Sequence, residues 1–175
     1  MKEYEFTLRF SLPADQAHSD ELLERLGDSG CDDALIGIGH AGRIALEFVR
    51  EADSARGAIF SAITDVKRAL PEAVLNEVSP DLVGITDIAE IVGRSRQNLR
   101  KLLVSCTSGG PAPIHEGKLT IWHLAPVLRW LVTAKGYSVN PDLLEVSEET
   151  MEVNAAISSA RADGNTREEL RELLV

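Results

Sequence analysis

The sequence predicts an α+β chain in three parts. Residues 1–81 alternate strands with helices, residues 82–136 hold three helices and a small hairpin, and residues 137–175 form an acidic, partly helical tail. Three observations lead there. Apolar and polar residues alternate in the first dozen positions and again around 44–48, which is the period of a half-buried strand. Between and after these runs, apolar residues recur every third or fourth position, the period of a helix. Charge is also segregated. Residues 1–81 carry 8 basic and 16 acidic side chains, residues 82–136 carry 7 and 3, and residues 137–175 carry 3 and 9, within an overall net charge of −10.

In the first part, Tyr4, Phe6, Leu8, Phe10 and Leu12 share one face of a strand that Pro13 ends. Ala14–Gly27 reads as a helix with Leu22, Leu23 and Leu26 inward and Gly27 as its stop. Ala34–Ile38 is a short apolar strand, and Ile44, Leu46 and Phe48 mark another. Ser54 caps a longer helix to Leu70, with Ile59, Ile63, Val66 and Leu70 along one stripe and Pro71 closing it. Val74–Val78 is a last strand, ended by Pro80. The order βαββαβ resembles the ferredoxin-like split arrangement in topology. This part is expected to supply dimerisation or partner contacts.

The second part opens on Gly84–Leu103, GITDIAEIVGRSRQNLRKLL. Ile85, Ile88, Ala89 and Val92 let a short helix bury one face, with Thr86 as a cap or first-turn residue. Gly93 supplies the left-handed backbone of a tight turn between helices. Ser95 caps a second helix that buries Leu99, Leu102 and Leu103 and carries Arg94, Arg96, Gln97, Asn98, Arg100 and Lys101 outside. Guanidinium, amide and ammonium groups on one short helix are the side chains that pair with base edges and phosphates. A Ser/Gly/Pro-rich loop, Ser105–Pro113, then leads to a hairpin at Ile114–Trp122, with Lys118 near its tip. A third helix, Leu124–Lys135, tolerates Pro126 in its first turn and turns Val127, Leu128, Trp130 and Leu131 inward.

The run SGGPAPIHEGKLTIWHLAPVLRWL, Ser108–Leu131, following that helix pair, resembles the winged helix-turn-helix of MerR-like, excisionase-type DNA-binding domains. Pro111, Pro113, Gly117, Trp122, Trp130 and Leu131 fall in the order such domains show, over residues 82–132. The resemblance implies a DNA-binding fold. By its usual docking, Arg96 and Gln97 would read bases, with Ser95 and Asn98 next, and Arg94, Arg100, Lys101 and Lys118 would hold phosphates.

The other motifs point elsewhere or nowhere. Gly37–Gly42, GIGHAG, matches the dinucleotide fingerprint in letters, but a strand rather than a helix follows it, so a hairpin turn explains its glycines. His115 and His123 flank the wing strand without a third ligand nearby, and His18 and His40 lack a nucleophile partner. Cys31 and Cys106 read as free thiols of a reducing cytoplasm. Trp122 and Trp130 read as core. No catalytic constellation, metal site or cofactor motif emerges, so the expectation is a non-enzyme. No apolar run approaches the roughly 20 residues that span a bilayer, and the N-terminus, MKEYEFTLRF, does not read as a signal peptide.

The tail contains Asn140-Pro141, read as a break after the third helix, then Glu145, Glu148, Glu149 and Glu152, then the small-residue run Ala155–Ala160. Thr166–Leu174 resembles a short capped helix. The tail has too little apolar content for its own core. It either packs on the body or becomes ordered on a partner.

These readings lead to an expected cytoplasmic, homodimeric regulator that binds double-stranded DNA by sequence. Repression is the favoured mode, and the antitoxin or prophage or plasmid regulator of its own operon is a special case. A protein partner is expected through the acidic tail or the N-terminal part. The alternative is a ligand-sensing or protein-interaction adaptor that uses the helix-turn-helix as a protein interface, which the net charge of −10 suits.

Overall fold

A computed structural model describes residues 1–13, 20–39, 42–104, 109–162 and 164. The chain is mixed α+β with antiparallel sheets. The elements are β1 (Lys2–Ser11), α1 (Asp20–Asp28), β2 (Ala34–Ile38), β3 (Arg43–Ala52), α2 (Ala55–Ala69), β4 (Val74–Ser79), β5 (Leu82–Val83), α3 (Ile85–Ile91), α4 (Arg96–Leu103), β6 (His115–Glu116), β7 (Thr120–His123), α5 (Leu124–Lys135) and α6 (Pro141–Arg161).

The first sheet has the order β2-β3-β1-β4, all neighbours antiparallel. Its alternation does what the sequence pattern requires. Phe6 pairs with Phe48, Leu8 with Leu46 and Phe10 with Ile44, and all six side chains are buried on one face. The Phe6 and Phe48 rings stack at 5.4 Å. Helix α2 lays Ala55, Ala58, Ile59, Ala62 and Val66 against that face. Small alanines let the helix sit close, and the Ser54 hydroxyl caps its first turn by accepting from the Gly57 N–H at 3.1 Å. The GIGHAG segment joins two antiparallel strands, with Ile38 pairing with Ile44 and β3 beginning at Arg43.

Arg50 ties the helical layer to the sheet. It is 8% exposed. Its guanidinium donates to both Asp33 oxygens at 2.7 and 2.8 Å, to Asp65 at 2.8 Å, to the Gly30 carbonyl at 2.7 Å and to Ser61 at 3.2 Å. The hydrogen bonds it donates to Asp33 hold its pKa above the ordinary arginine value, against the opposing effect of burial. Cys31 lies beside this cluster, and burial pushes its thiol up, so it stays neutral and poorly nucleophilic.

Three expectations are corrected. Helix α1 continues through Gly27 to Asp28, and the chain turns only at Gly30, whose φ is +94°. Leu22 and Leu26 are buried, but Leu23 is exposed, because a nine-residue helix buries one narrow stripe. The expected start of α1 at residue 14 lies outside the described residues, as do Cys106 and the expected short helix at 166–174.

The largest correction is α6. Asn140 and Pro141 do not end a helix; they begin one. Helix α5 stops at Gly136, which takes the left-handed conformation. Asn140 then caps α6 by accepting from the Asp142 N–H at 2.9 Å, with Pro141 in the first turn. The 21-residue helix that follows bridges two cores. Val146 is buried in the core of the first sheet, while Leu143 and Leu144 pack on the core formed by α3, α4, β7 and α5. Four of its five carboxylates are engaged within the molecule. Asp142 pairs with Lys2, Glu145 accepts from the Tyr4 hydroxyl and the Ala55 N–H, Glu149 pairs with Arg56, and Glu148 pairs with Arg129.

Helix α6 also closes one sheet edge. The Asn154 amide accepts from the Val78 N–H at 2.8 Å and donates to the Val78 carbonyl at 2.7 Å, standing in for a neighbouring strand. The same amide donates to buried Asp81 at 2.8 Å. The other Asp81 oxygen is 2.6 Å from His123 Nδ1, and the Asp81 carbonyl accepts from the Leu124 N–H. This small polar knot joins β4, α6 and the second sheet.

Candidate nucleic-acid interface

Val83 and Trp122, which pair between β5 and β7, lie in the same buried cluster as Ile88, Leu99, Leu103, Leu124, Val127, Leu128 and Leu131. This core fixes α3 and α4 relative to each other. Gly84 caps α3, with its N–H donating to the Asp87 carboxylate at 2.7 Å, so Thr86 lies in the first turn and is not the cap. The chain reverses at Gly93, whose φ of +63° any residue with a Cβ adopts only with strain. The Arg94 N–H returns to the Ala89 carbonyl at 2.9 Å. Ser95 caps α4 through the Asn98 N–H at 3.2 Å, as its position in the sequence suggests.

The hairpin expected as a wing is β6 and β7, with His115 opposite Ile121 and Glu116 opposite Thr120. The two-residue strand β5 adds to its other side, pairing Leu82 with His123 and Val83 with Trp122. At the tip, a larger residue in place of Gly117 would push the exposed His115 ring aside. A Cβ there would sit 2.8 Å from the His115 ring nitrogen. Lys118 follows, exposed.

Every expected contact residue, Arg94, Ser95, Arg96, Gln97, Asn98, Arg100, Lys101 and Lys118, is exposed. They do not form one patch. With Leu99, Leu102 and Leu103 inward, helical geometry divides the outer arc of α4 into three stripes. Arg96 and Arg100 lie beside the wing. There they line, with Lys118, Gly84, Thr86 and Trp122, a cleft of about 470 Å³. Gln97 and Lys101 occupy the crest opposite the buried leucines. Asn98 lies on the far side, where it accepts from the Tyr137 hydroxyl at 3.2 Å, and the Arg94 guanidinium rests 5.4 Å from the Tyr137 ring. Sequence reasoning missed Tyr137, which follows the α5 stop and carries no motif.

Cations without a carboxylate partner are concentrated on this side, although Arg25, Arg43, Lys67 and Arg161 elsewhere also lack one among the described residues. Lys2, Arg9, Arg50, Arg56, Arg68 and Arg129 all have carboxylates within ion-pair distance. Among the described residues, Arg96, Arg100, Lys101 and Lys118 have none. Glu116 and Asp87 are the nearby acids on the wing and α3, and Asp87 is committed to the Gly84 N–H. Among the described residues no group of three or more His, Cys, Asp or Glu side chains is placed to hold a metal. His123 is occupied by Asp81. The Trp122 indole is buried under the cleft, and its N–H has no hydrogen-bond partner.

No family model, curated protein or solved structure matches the chain. No helix among the described residues is long and apolar enough to cross a membrane.

Proposed function

We propose that the chain is a sequence-specific DNA-binding regulator, with residues 82–136 acting as a winged helix-turn-helix and residues 1–81 as a ferredoxin-like unit that brings copies together. The β2-β3-β1-β4 order supports the second assignment. The helix pair with a Gly93 turn and a three-stranded wing sheet supports the first. One observation carries the reading: Arg96, Arg100, Lys101 and Lys118, with no carboxylate partner among the described residues, flank and crown one exposed helix in a chain of net charge −10. Leaving cations unpaired in so acidic a molecule fits an anionic partner supplied from outside.

The three stripes divide the labour. Gln97 on the crest reaches farthest from the core and suits the N6 and N7 edge of adenine. Arg96 and Arg100, set beside the wing with Lys118, suit backbone phosphates, so Arg96 moves from base reading toward positioning. Asn98 and Arg94 are held by Tyr137 and brace the helix.

The test is fluorescence anisotropy on duplexes selected from a random pool, repeated across a salt series. Four phosphate-facing cations predict an affinity falling with salt at a log–log slope of about −3 to −4 per chain. Arg96→Ala with Arg100→Ala should reduce that slope by about 2 and weaken all sequences alike. Gln97→Ala should keep the slope and lose about 1–3 kcal/mol of discrimination at one base position. A selection that enriches no sequence, with salt-insensitive binding, overturns the reading and leaves the adaptor alternative.

A further inference from the structure

The sheet face away from α1 and α2 is open, with Arg161 of α6 reaching only its Arg9–Arg43 end, where these residues line a cavity of about 710 Å³. Reading across the β1–β3 register on that face, Glu3 stands opposite Glu51, Glu5 opposite Val49, Thr7 opposite Glu47, Arg9 opposite Ala45 and Ser11 opposite Arg43. On these two strands one end is therefore acidic and the other basic; Arg9 at the basic end also lies 3.9 Å from Glu77 of β4, an exposed pair that a partner's carboxylate would have to share. Among the described residues, Glu5, Glu51 and Arg43 have no ion-pair partner. Leu35, opposite Glu47 on β2, is 72% exposed, and Val49 is 47% exposed.

We propose that this face pairs two copies of the chain, stacked sheet on sheet about a two-fold axis that crosses the strands at Thr7. The register decides the fit. The axis carries each β1 residue to the position equally far beyond Thr7 on the second copy. Glu5 then faces the partner's Arg9, and Glu51 faces the partner's Arg43. Val49 meets the partner's Ala45, and Leu35 and Thr7 meet their own copies. An isologous contact demands this self-complementarity, and aligned sheet packing at about 10 Å brings long charged side chains within reach. Glu47 is the exception, because it meets its own copy on the axis.

The remaining geometry agrees. The β4 edge is covered by Asn154, so association by strand addition is blocked there while the open face stays free. Four strands over five residue rows give a footprint of roughly 20 by 27 Å. That is smaller than a standard stable interface of about 800 Å² per partner, so the pairing is concentration-dependent and leans on its charges.

The pairing is argued from the sheet alone; its use on DNA rests on the reading above. Sedimentation of the full chain without DNA tests it. The parent should pass from monomer to dimer with rising concentration and loosen as salt rises. Glu5→Arg with Glu51→Arg should weaken self-association at least tenfold, as should Arg9→Glu with Arg43→Glu in a second chain. Mixing the two variants should restore a heterodimer. Glu47→Gln should tighten the parent dimer severalfold. Circular dichroism confirms that each variant is folded. A parent that stays monomeric, variants that dimerise as the parent does, or a mixture that fails to pair would each overturn the proposal. If DNA binding fails while the charge swap succeeds, the regulator reading falls and the dimer stands.

Discussion

Truncation after Asn140 should abolish cooperative unfolding. The cut removes Val146 from the first core and Leu143 and Leu144 from the second, and it strips Asn154 from both polar groups of Val78. Losing burial of three aliphatic side chains costs on the order of 5 kcal/mol, which is comparable to the whole stability of many domains. Tyr4 and Ala55 also lose their Glu145 acceptor. Thermal scans by circular dichroism and light scattering check this. The expected result is a broad, aggregating transition, whereas a sharp one near the parent's Tm would show that α6 is an appendage. Asn154→Ala tests the same contact gently. It leaves a strand edge and the Asp81 carboxylate short of partners, and should cost about 1–3 kcal/mol.

Arg50→Ala is the second large effect expected. The guanidinium is 8% exposed and satisfies two carboxylates, a carbonyl and a hydroxyl at once. Its removal leaves Asp33 and Asp65 facing each other, and breaking a buried pair from one side costs about 3–5 kcal/mol. Because both carboxylates keep some solvent contact, the lower end is expected here. Arg50→Lys should rescue little, since an ammonium cannot make the bidentate contact with Asp33 and still reach Asp65 and Gly30. Arg50→Met combined with Asp33→Asn and Asp65→Asn should recover most of the loss. Urea denaturation of the full chain measures all three. A lysine variant as stable as the parent, or a triple variant no more stable than the alanine one, would overturn this account.

Some elements were legible because one physical signal dominated. Strands β1 and β3 alternate cleanly, since one face is buried and the other is wet. The α3–Gly93–α4 turn carries its own chemistry in a glycine and a capping serine. Helix α6 was obscure because its inward face is mixed. Ser147, Thr150 and Asn154 point at the body between Leu143, Val146 and Val153, with Thr150 donating to the Pro80 carbonyl, so polar residues interrupt the hydrophobic stripe. A signal was available at its start: an asparagine cap followed by proline at the first helical position opens a helix as readily as it ends one. Strand β5 is two residues long, too short for any period.

The candidate site was legible as a set of residues and not as an arrangement. Arg96 and Gln97 are neighbours in sequence, yet they lie on different stripes of α4. Only the placement of the wing reveals that Arg96 shares a cleft with Lys118. Tyr137 had no pattern to announce it, and its hold on Asn98 depends on the αL turn at Gly136.

The polar knot at Asp81 has a consequence for spacing. Asp81, Asn154 and His123 lock the wing's parent sheet to the body through three separate elements. A reader joined to its dimer unit by a slack tether tolerates half-sites at many distances. On the DNA-binding reading proposed above, this rigid yoke would make two copies measure one separation along the duplex. Moving the half-sites apart by half a helical turn, about 5 base pairs, should reduce paired binding to that of a lone half-site.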